Sequence, residues 1–316
     1  MTKMTITKFL SFVIFFVAII SIFSGCVSWG NPKPASTKSS RYDRPKVLGN
    51  ILDPDITESS GLTTSKCQPG VFWTHNDSGD DAFVYGITNT GAKLGTWKVP
   101  GAQNIDWEEI AEYKDAAGKC FIYLGEIGDN RSKMKEHIIY RVREPAVSPE
   151  NVTSSKKSPL QTEPPELLRF SYPDGPRNAE TLMVNPKSGD IYVVTKRQSG
   201  PAGVYRLKPE FFGGQTVPAE KIANISVPSI PNGLITGGDI SPDGKRMILC
   251  DYVSGYEYVL PSGSEQFDDI WKQEPEIVDL GDRSVGEAVC YSPDGNSVYA
   301  TSEGKAAPMI EVVSKP

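Results

Sequence analysis

From Lys46 onward, short apolar runs alternate with turn residues along the whole chain. Runs of five to eight β-branched and aromatic residues are separated by Gly, Pro, Asn and Asp, and no window has a sustained helical period. This pattern predicts an all-β domain over residues 45–316.

A unit of two strands joined by a turn recurs five times in that domain. In three copies the second strand starts 11 residues after the first, and the other two copies have longer turns. Such spacing is typical of a repeat architecture. The copies begin at Glu58, Glu108, Glu180, Thr236 and Glu287.

Two more strands follow each of the first four copies, whereas the last copy is followed only by Met309–Val313. The fourth strand that is missing there can come from Lys46–Ile51, which is left over at the start. The count predicts a β-propeller of four-stranded blades that is closed by strands from both termini. It gives five blades, with six as the alternative if the insertion at residues 145–165 contains strands.

Two of the turns also carry a resemblance to a known family. The segments Ile240–Leu249 (ISPDGKRMIL) and Tyr291–Ala300 (YSPDGNSVYA) resemble the repeat of TolB-type periplasmic propellers. The resemblance implies a propeller in the cell envelope and implies no chemistry.

The N-terminal 25 residues have the pattern of an export signal. Lys3 and Lys8 precede an apolar run, Phe9–Ile20, which leads into small residues. The apolar stretch is short for a membrane-spanning helix, which needs about 20 residues. We therefore predict a signal peptide over residues 1–25, with an uncleaved anchor as an alternative.

The end of this signal resembles the bacterial lipobox, in which a peptidase cuts before a cysteine that then carries lipid. The string is Phe23-Ser24-Gly25-Cys26. We predict a lipidated Cys26, a flexible Pro- and Ser-rich tether over residues 26–44, and attachment to a lipid bilayer in the cell envelope, facing the periplasm or the cell surface. An ordinary signal peptide with an incidental cysteine is the alternative.

The composition argues against a nucleic-acid partner and against a histidine-rich zinc site. A formal net charge of −6 argues against a nucleic-acid partner, which requires a basic surface. Two histidines cannot form a three-histidine zinc site.

The remaining four cysteines are an even number, as expected for disulfides in an exported domain. Cys67 and Cys120 precede the second strands of neighbouring blades, and Cys250 and Cys290 also fall in neighbouring blades. We predict the pairs 67–120 and 250–290, with buried free thiols as the alternative.

The start of the first strand and the end of the second strand of each blade open onto one face of a propeller. Acidic residues recur at the first of these positions. We predict that they surround the axis and bind a divalent cation, Ca²⁺, whose preferred ligands are oxygens. Internal ion pairs and the capping of turns are the alternatives. The metal candidates are Glu58, Glu108, Glu180 and Glu287.

The ends of the second strands supply amides, acids and bases on the same face. We predict that they bind a ligand, although Asx-rich turns explain several of them equally well. The ligand-binding candidates are His75, Asn76, Asp77, Asp129, Asn130, Arg131, Lys196 and Arg197.

Common catalytic motifs are missing from the sequence: it has no G-x-S-x-G elbow, no H-E-x-x-H motif and no P-loop. We therefore predict a non-catalytic envelope module that binds an envelope protein or a small polar ligand through an acidic rim. The alternative is a Ca²⁺-assisted hydrolase of glycosides or phosphoesters at the same rim.

Overall fold

A computed structural model describes residues 37–210 and 214–315 of the chain. The predicted signal peptide and Cys26 lie outside these residues, so both stay predictions. Among the described residues, no helix is long and apolar enough to cross a membrane.

The described residues form short strands and two 3-10 helices, at Pro149–Thr153 and Phe267–Lys272. The strands, in chain order, are β1 (Lys46–Asn50), β2 (Ser59–Thr64), β3 (Phe72–Asn76), β4 (Phe83–Ile87), β5 (Lys93–Lys98), β6 (Trp107–Lys114), β7 (Cys120–Glu126), β8 (His137–Arg143), β9 (Leu160–Gln161), β10 (Glu166–Ser171), β11 (Ala179–Val184), β12 (Ile191–Thr195), β13 (Ala202–Leu207), β14 (Thr216–Pro218), β15 (Glu220–Ile225), β16 (Gly237–Ile240), β17 (Arg246–Cys250), β18 (Ser254–Val259), β19 (Glu276–Asp279), β20 (Val289–Tyr291), β21 (Ser297–Ala300) and β22 (Pro308–Val313).

These strands build five antiparallel four-stranded blades, which confirms the predicted five-bladed propeller. From the first strand outward, the blades are β2-β3-β4-β5, β6-β7-β8-β10, β11-β12-β13-β15, β16-β17-β18-β19 and β20-β21-β22-β1. The insertion at residues 145–165 adds no blade, because its short strand β9 pairs with the outer strand β5.

Both termini close the ring, as the strand count predicted. Strand β1 runs antiparallel to β22, with Lys46 opposite Glu311 and Asn50 opposite Pro308. The pairing gives the last blade its fourth strand and covers an edge of β22 that would otherwise be open.

A separate hydrophobic cluster fills each of the five gaps between neighbouring blades. Alternate residues of a strand point to opposite faces, so every blade contributes to two clusters. Trp73 and Trp97 of the first blade meet edge to face, with ring centroids 5.1 Å apart. They pack there with the fully buried Trp107 of the second blade.

The structure confirms one predicted disulfide and shows that the other is wrong. Cys67 and Cys120 are bonded and join the first two blades. Cys250 and Cys290 are buried free thiols. Val289 shares a cluster with Cys250, whereas Cys290, its neighbour on β20, faces the opposite cluster. The two sulfurs therefore lie on opposite sides of the last blade.

Residues 37–44, which the composition placed in the tether, pack against the last two blades. Tyr42 is buried, and its hydroxyl donates to Glu257 Oε1 at 2.5 Å. Arg41 pairs with the other oxygen of Glu257 at 3.2 Å. Lys38 forms an isolated β-bridge with Ile277. We call residues 37–44 the strap.

Candidate functional site

The first strands of the five blades, β2, β6, β11, β16 and β20, contact one another in a ring around the axis. In each blade the first and second strands are antiparallel, so the start of the first strand lies beside the end of the second. In the second blade, Trp107 lies opposite Glu126, and in the third, Ala179 lies opposite Thr195. The residues around these points share one face of the propeller, which we call the axial face.

Acidic side chains from four blades, and from the loops beside them, meet on the axial face around one lysine. Their charges interact across the axis. We call this group the axial cup, and its members are Asp77, Asp106, Glu108, Glu180, Glu287, Glu303 and Lys196.

Lys196 is the ammonium group of the axial cup. Its Nζ lies 2.6 Å from Glu180 Oε2 and 3.8 Å from Glu287 Oε1. It also lies over the ring of Tyr252, 5.0 Å from the centroid. Burial opposes its charge, but the carboxylates of Glu180 and Glu287 raise the pKa of Lys196 above its usual value. The lysine is therefore charged and committed mainly to Glu180.

The surroundings of Glu287 favour its protonated form at neutral pH. Burial, followed by the neighbouring charges of Glu180 and Glu303, raises the pKa of Glu287 to about 9. Burial also raises the pKa of Glu180 to about 7, although Lys196 works in the opposite direction. The proton of Glu287 allows a hydrogen bond between it and Glu303, which two carboxylates could not make.

Asp77, Asp106 and Glu108 form a tighter group inside the axial cup, which we call the acidic triad. One carboxylate oxygen from each lies within 4.8 Å of the others. Glu108 is only 3% exposed, and no residue in 37–210 or 214–315 donates a hydrogen bond to its carboxylate. Burial and the charges of Glu180 and Asp77 raise the pKa of Glu108 well above its usual value. Burial likewise raises the pKa of Asp106 to about 6.

The loop before β6 holds the triad in place. The Glu126 carboxylate accepts hydrogen bonds from the backbone N–H groups of Ile105 and Asp106, each at 2.8 Å. Asn104 Nδ2 donates to the backbone oxygen of Asp77 at 3.0 Å. Gly128 leaves the room that the acids occupy, since a Cβ there would lie 2.2 Å from Glu108 Oε1 and 2.4 Å from Asp106 Oδ2.

A groove with a volume of about 310 Å³ adjoins the axial cup. It shares Lys196 with the cup, and Asn178 Nδ2 in its wall donates to Glu180 Oε1 at 3.3 Å. Its lining is polar and includes Asn130, Ser132, Arg177, Asn178, Lys196 and Arg197. The axial cup therefore opens beside hydrogen-bonding groups that could contact a larger ligand.

The fold is that of a β-propeller. No protein-family model matches this chain, and no curated protein sequence matches it. Among solved structures, the chain is similar to the WD40 domain of Pan2 from Neurospora crassa, with 11% sequence identity and a TM-score of 0.43. That match covers 89% of this chain and 98% of the other. The resemblance to TolB-type repeats stays a prediction.

The axial cup contains three of the four predicted metal ligands. Glu108, Glu180 and Glu287 meet near the axis, whereas Glu58 is exposed and its backbone forms an isolated bridge with Glu303. Electrostatic coupling still links Glu58 with Glu303. Whether any of them binds a metal ion stays a prediction.

The predicted ligand-binding residues His75, Asn76 and Asp77 lie at the end of β3. Of these three, only Asp77 reaches the axial cup. His75 is fully buried, and burial lowers its pKa to about 4, so it is neutral. Asn76 Oδ1 accepts hydrogen bonds from the backbone of Thr57 and Glu58. Asp77 is half-buried and joins the triad.

The other predicted ligand-binding residues divide between the axial cup, the groove and a turn. Lys196 belongs to the cup and the groove, and Asn130 and Arg197 line the groove. Asp129 Oδ2 accepts the backbone N–H of Met134 at 2.6 Å and so caps its own loop. Arg131 is exposed.

Asp106 and Glu303 belong to the axial cup but are not among the candidate ligands predicted from the sequence. Asp106 lies two residues before Glu108, in the loop that leads into β6. Glu303 lies three residues after the end of β21. Counting every acid within three residues of a strand end on the axial face would have found both.

Proposed function

We propose that this protein is a binding module of the cell envelope that takes up a positively charged ligand in its axial cup. β-Propellers commonly serve as binding modules, but the fold alone does not identify a ligand. One observation carries the proposal: no salt bridge reaches Asp77, Asp106 or Glu108 from any residue in the described parts of the chain, whereas Lys196 is committed to Glu180.

This imbalance of charge destabilises the axial cup. Six acids of the cup surround the single ammonium group of Lys196, and burial together with their mutual repulsion raises the pKa of several of them, Glu108 and Glu287 among them. Buried like charges repel one another and raise each other's pKa. A cation in the axial cup would relieve that repulsion, and the polar groove beside it would contact the rest of a larger ligand. The Ca²⁺-assisted hydrolase stays a prediction.

Organic amines and divalent metal ions should bind in the axial cup, whereas amines that have lost their charge through N-acetylation should not. We expect a screen of organic amines and divalent metal ions to raise the melting temperature, while the N-acetylated amines leave it unchanged. Glu108→Gln should weaken binding at least tenfold by calorimetry, because it removes a buried carboxylate that can ionise beside a bound cation. The matched control is Glu166→Gln, an exposed acid on an outer strand. Equal binding of acetylated amines, or binding unaffected by Glu108→Gln, would contradict the proposal.

The envelope location rests on the basic, apolar and small-residue pattern that ends at Cys26, and the Cys67–Cys120 disulfide supports it. Disulfides persist in oxidising compartments. We expect the protein to incorporate labelled palmitate in expressing bacteria and Cys26→Ser to incorporate none, because the thiol that receives the lipid is lost. Ser28→Ala should be labelled as the wild type is. A wild-type protein that stays in the membrane fraction without label would favour an uncleaved anchor.

A further inference from the structure

We propose that the acidic triad, Asp77, Asp106 and Glu108, is a calcium site. This inference rests on the proposed function, because it names the cation that the axial cup takes up. Two of the ligands, Asp106 and Glu108, come from the second blade and the loop before it, and Asp77 comes from the first blade. A bound ion would therefore bridge two neighbouring blades at the axis.

The spacing of the three carboxylates suits calcium. Ca²⁺ binds oxygen ligands at roughly 2.3–2.6 Å, so two ligands on opposite sides of the ion are about 4.8 Å apart. One carboxylate oxygen of each acid lies within 4.8 Å of the other two, so all three acids can reach a single Ca²⁺ ion. Mg²⁺ requires about 2.0–2.1 Å, a near-ideal octahedral geometry and most of its own waters, so three carboxylates from two blades suit it less well than they suit Ca²⁺.

Glu108 distinguishes this group from an ordinary cluster of surface acids. Glu108 as a residue is only 3% exposed, one of its carboxylate oxygens lies close to the other two acids, and the carboxylate receives no hydrogen bond from residues 37–210 or 214–315. Burial of a carboxylate without a donor or a cation is costly. Acids that only cap turns bond to backbone N–H groups, as Glu126 does with Ile105 and Asp106.

The surroundings of the triad leave room for its carboxylates and fix their positions. Gly128 has no side chain at the point where a Cβ would lie 2.2 Å from Glu108 Oε1. Asn104 and Glu126 hold the backbone of Asp77 and Asp106 in place. Three protein ligands leave several of the six to eight coordination positions of Ca²⁺ to water, or to oxygens of a ligand that extends into the groove.

The test is a calcium titration of the chelator-treated protein, followed by calorimetry and by the melting temperature. We expect one Ca²⁺ per chain and a melting temperature raised by about 3–6 °C at a hundredfold excess over Kd. Terbium should bind in the same place, and Trp107, which lies between Asp106 and Glu108 in the sequence, should sensitise its emission. Mg²⁺ should bind at least tenfold more weakly.

Variants locate the ion. Glu108→Gln and Asp106→Asn should each weaken Ca²⁺ binding by tenfold or more, and Gly128→Ala should abolish it because the new methyl group displaces the carboxylates of Glu108 and Asp106. Asp106 is only half-buried, so its variant remains informative if Glu108→Gln fails to fold. The matched control is Glu112→Gln, a buried acid farther along β6 that pairs with Lys66. It should leave the Kd for Ca²⁺ unchanged.

Two different failures can be told apart. If amines bind in the axial cup in a Glu108-dependent way and Ca²⁺ does not, the calcium site is overturned and the proposed function stands. If neither amines nor metal ions bind, both are overturned. Calcium binding that survives Glu108→Gln and Asp106→Asn, or equal affinity for Mg²⁺, would also overturn the calcium site.

Discussion

A chain that starts at Ile51 should lose most of its folding stability. It lacks β1, so β22 becomes an open edge and the last blade keeps three strands. It also lacks the strap, which leaves Glu257 buried without Tyr42 and Arg41. The free energy of unfolding of a domain is only about 5–15 kcal/mol. The truncated chain loses a closing strand and two partners of the buried Glu257 carboxylate, and these losses should remove most of that free energy. Urea unfolding followed by circular dichroism measures the change.

Two controls separate the contributions of the strand and the strap. A chain that starts at Thr37 keeps both and should unfold as the full chain does. A chain that starts at Lys46 keeps β1 and loses the strap, so its midpoint should lie between the other two. If the chain that starts at Ile51 unfolds at the same urea concentration as the full chain, closure by β1 contributes nothing to stability and the account is wrong.

The fold could be predicted because its information is local. Each first and second strand form a hairpin, and the turn between them uses residues with restricted dihedrals, as in Ser241–Lys245 and Ser292–Asn296. Gly244 and Gly295 adopt the positive φ that such turns need. Once the hairpins are counted, the unequal number of strands at the two ends requires closure between Lys46–Asn50 and Pro308–Val313.

The axial cup was predicted only in part, because its contacts join different blades through loops. The starts of the first strands gave Glu108, Glu180 and Glu287, whose positions follow from the repeat. Glu58 occupies the equivalent position but is exposed, and its backbone N–H bonds to Asn76 Oδ1. No spacing rule predicts the direction in which a side chain leaves such a loop.

The unpaired cysteines show a second limit of the repeat pattern. The sequence placed Cys250 and Cys290 in neighbouring blades, which is correct. The sequence did not determine which residues of β20 face which neighbour. Alternate residues of this strand face the two different gaps on either side of the last blade. A shift of one residue exchanges the faces of a strand, so the register decides whether two thiols can meet.

Glu287 should make the protein less stable as the pH rises. Its pKa is about 9 in the folded protein and 4.5 is its ordinary value. Below pH 4.5 both the folded and the unfolded state hold the proton, so the group causes no penalty there. Between pH 4.5 and 9 only the unfolded state releases it, and the free energy of unfolding falls across that window.

Glu287→Gln should therefore stabilise the protein at pH 8 and change little at pH 5. The amide is neutral at both values and can still donate to Glu303, as the protonated acid does. One pKa unit corresponds to about 1.4 kcal/mol, and Glu287 shares its titration with Glu180, so we expect a relative gain of about 2–4 kcal/mol at pH 8. Melting temperatures in chelator measure it, with the exposed Glu163→Gln as the control. If Glu287→Gln and the wild type have the same melting temperature at both pH values, Glu287 is already ionised and Lys196 compensates its charge. The axial cup would then carry one more negative charge than we infer.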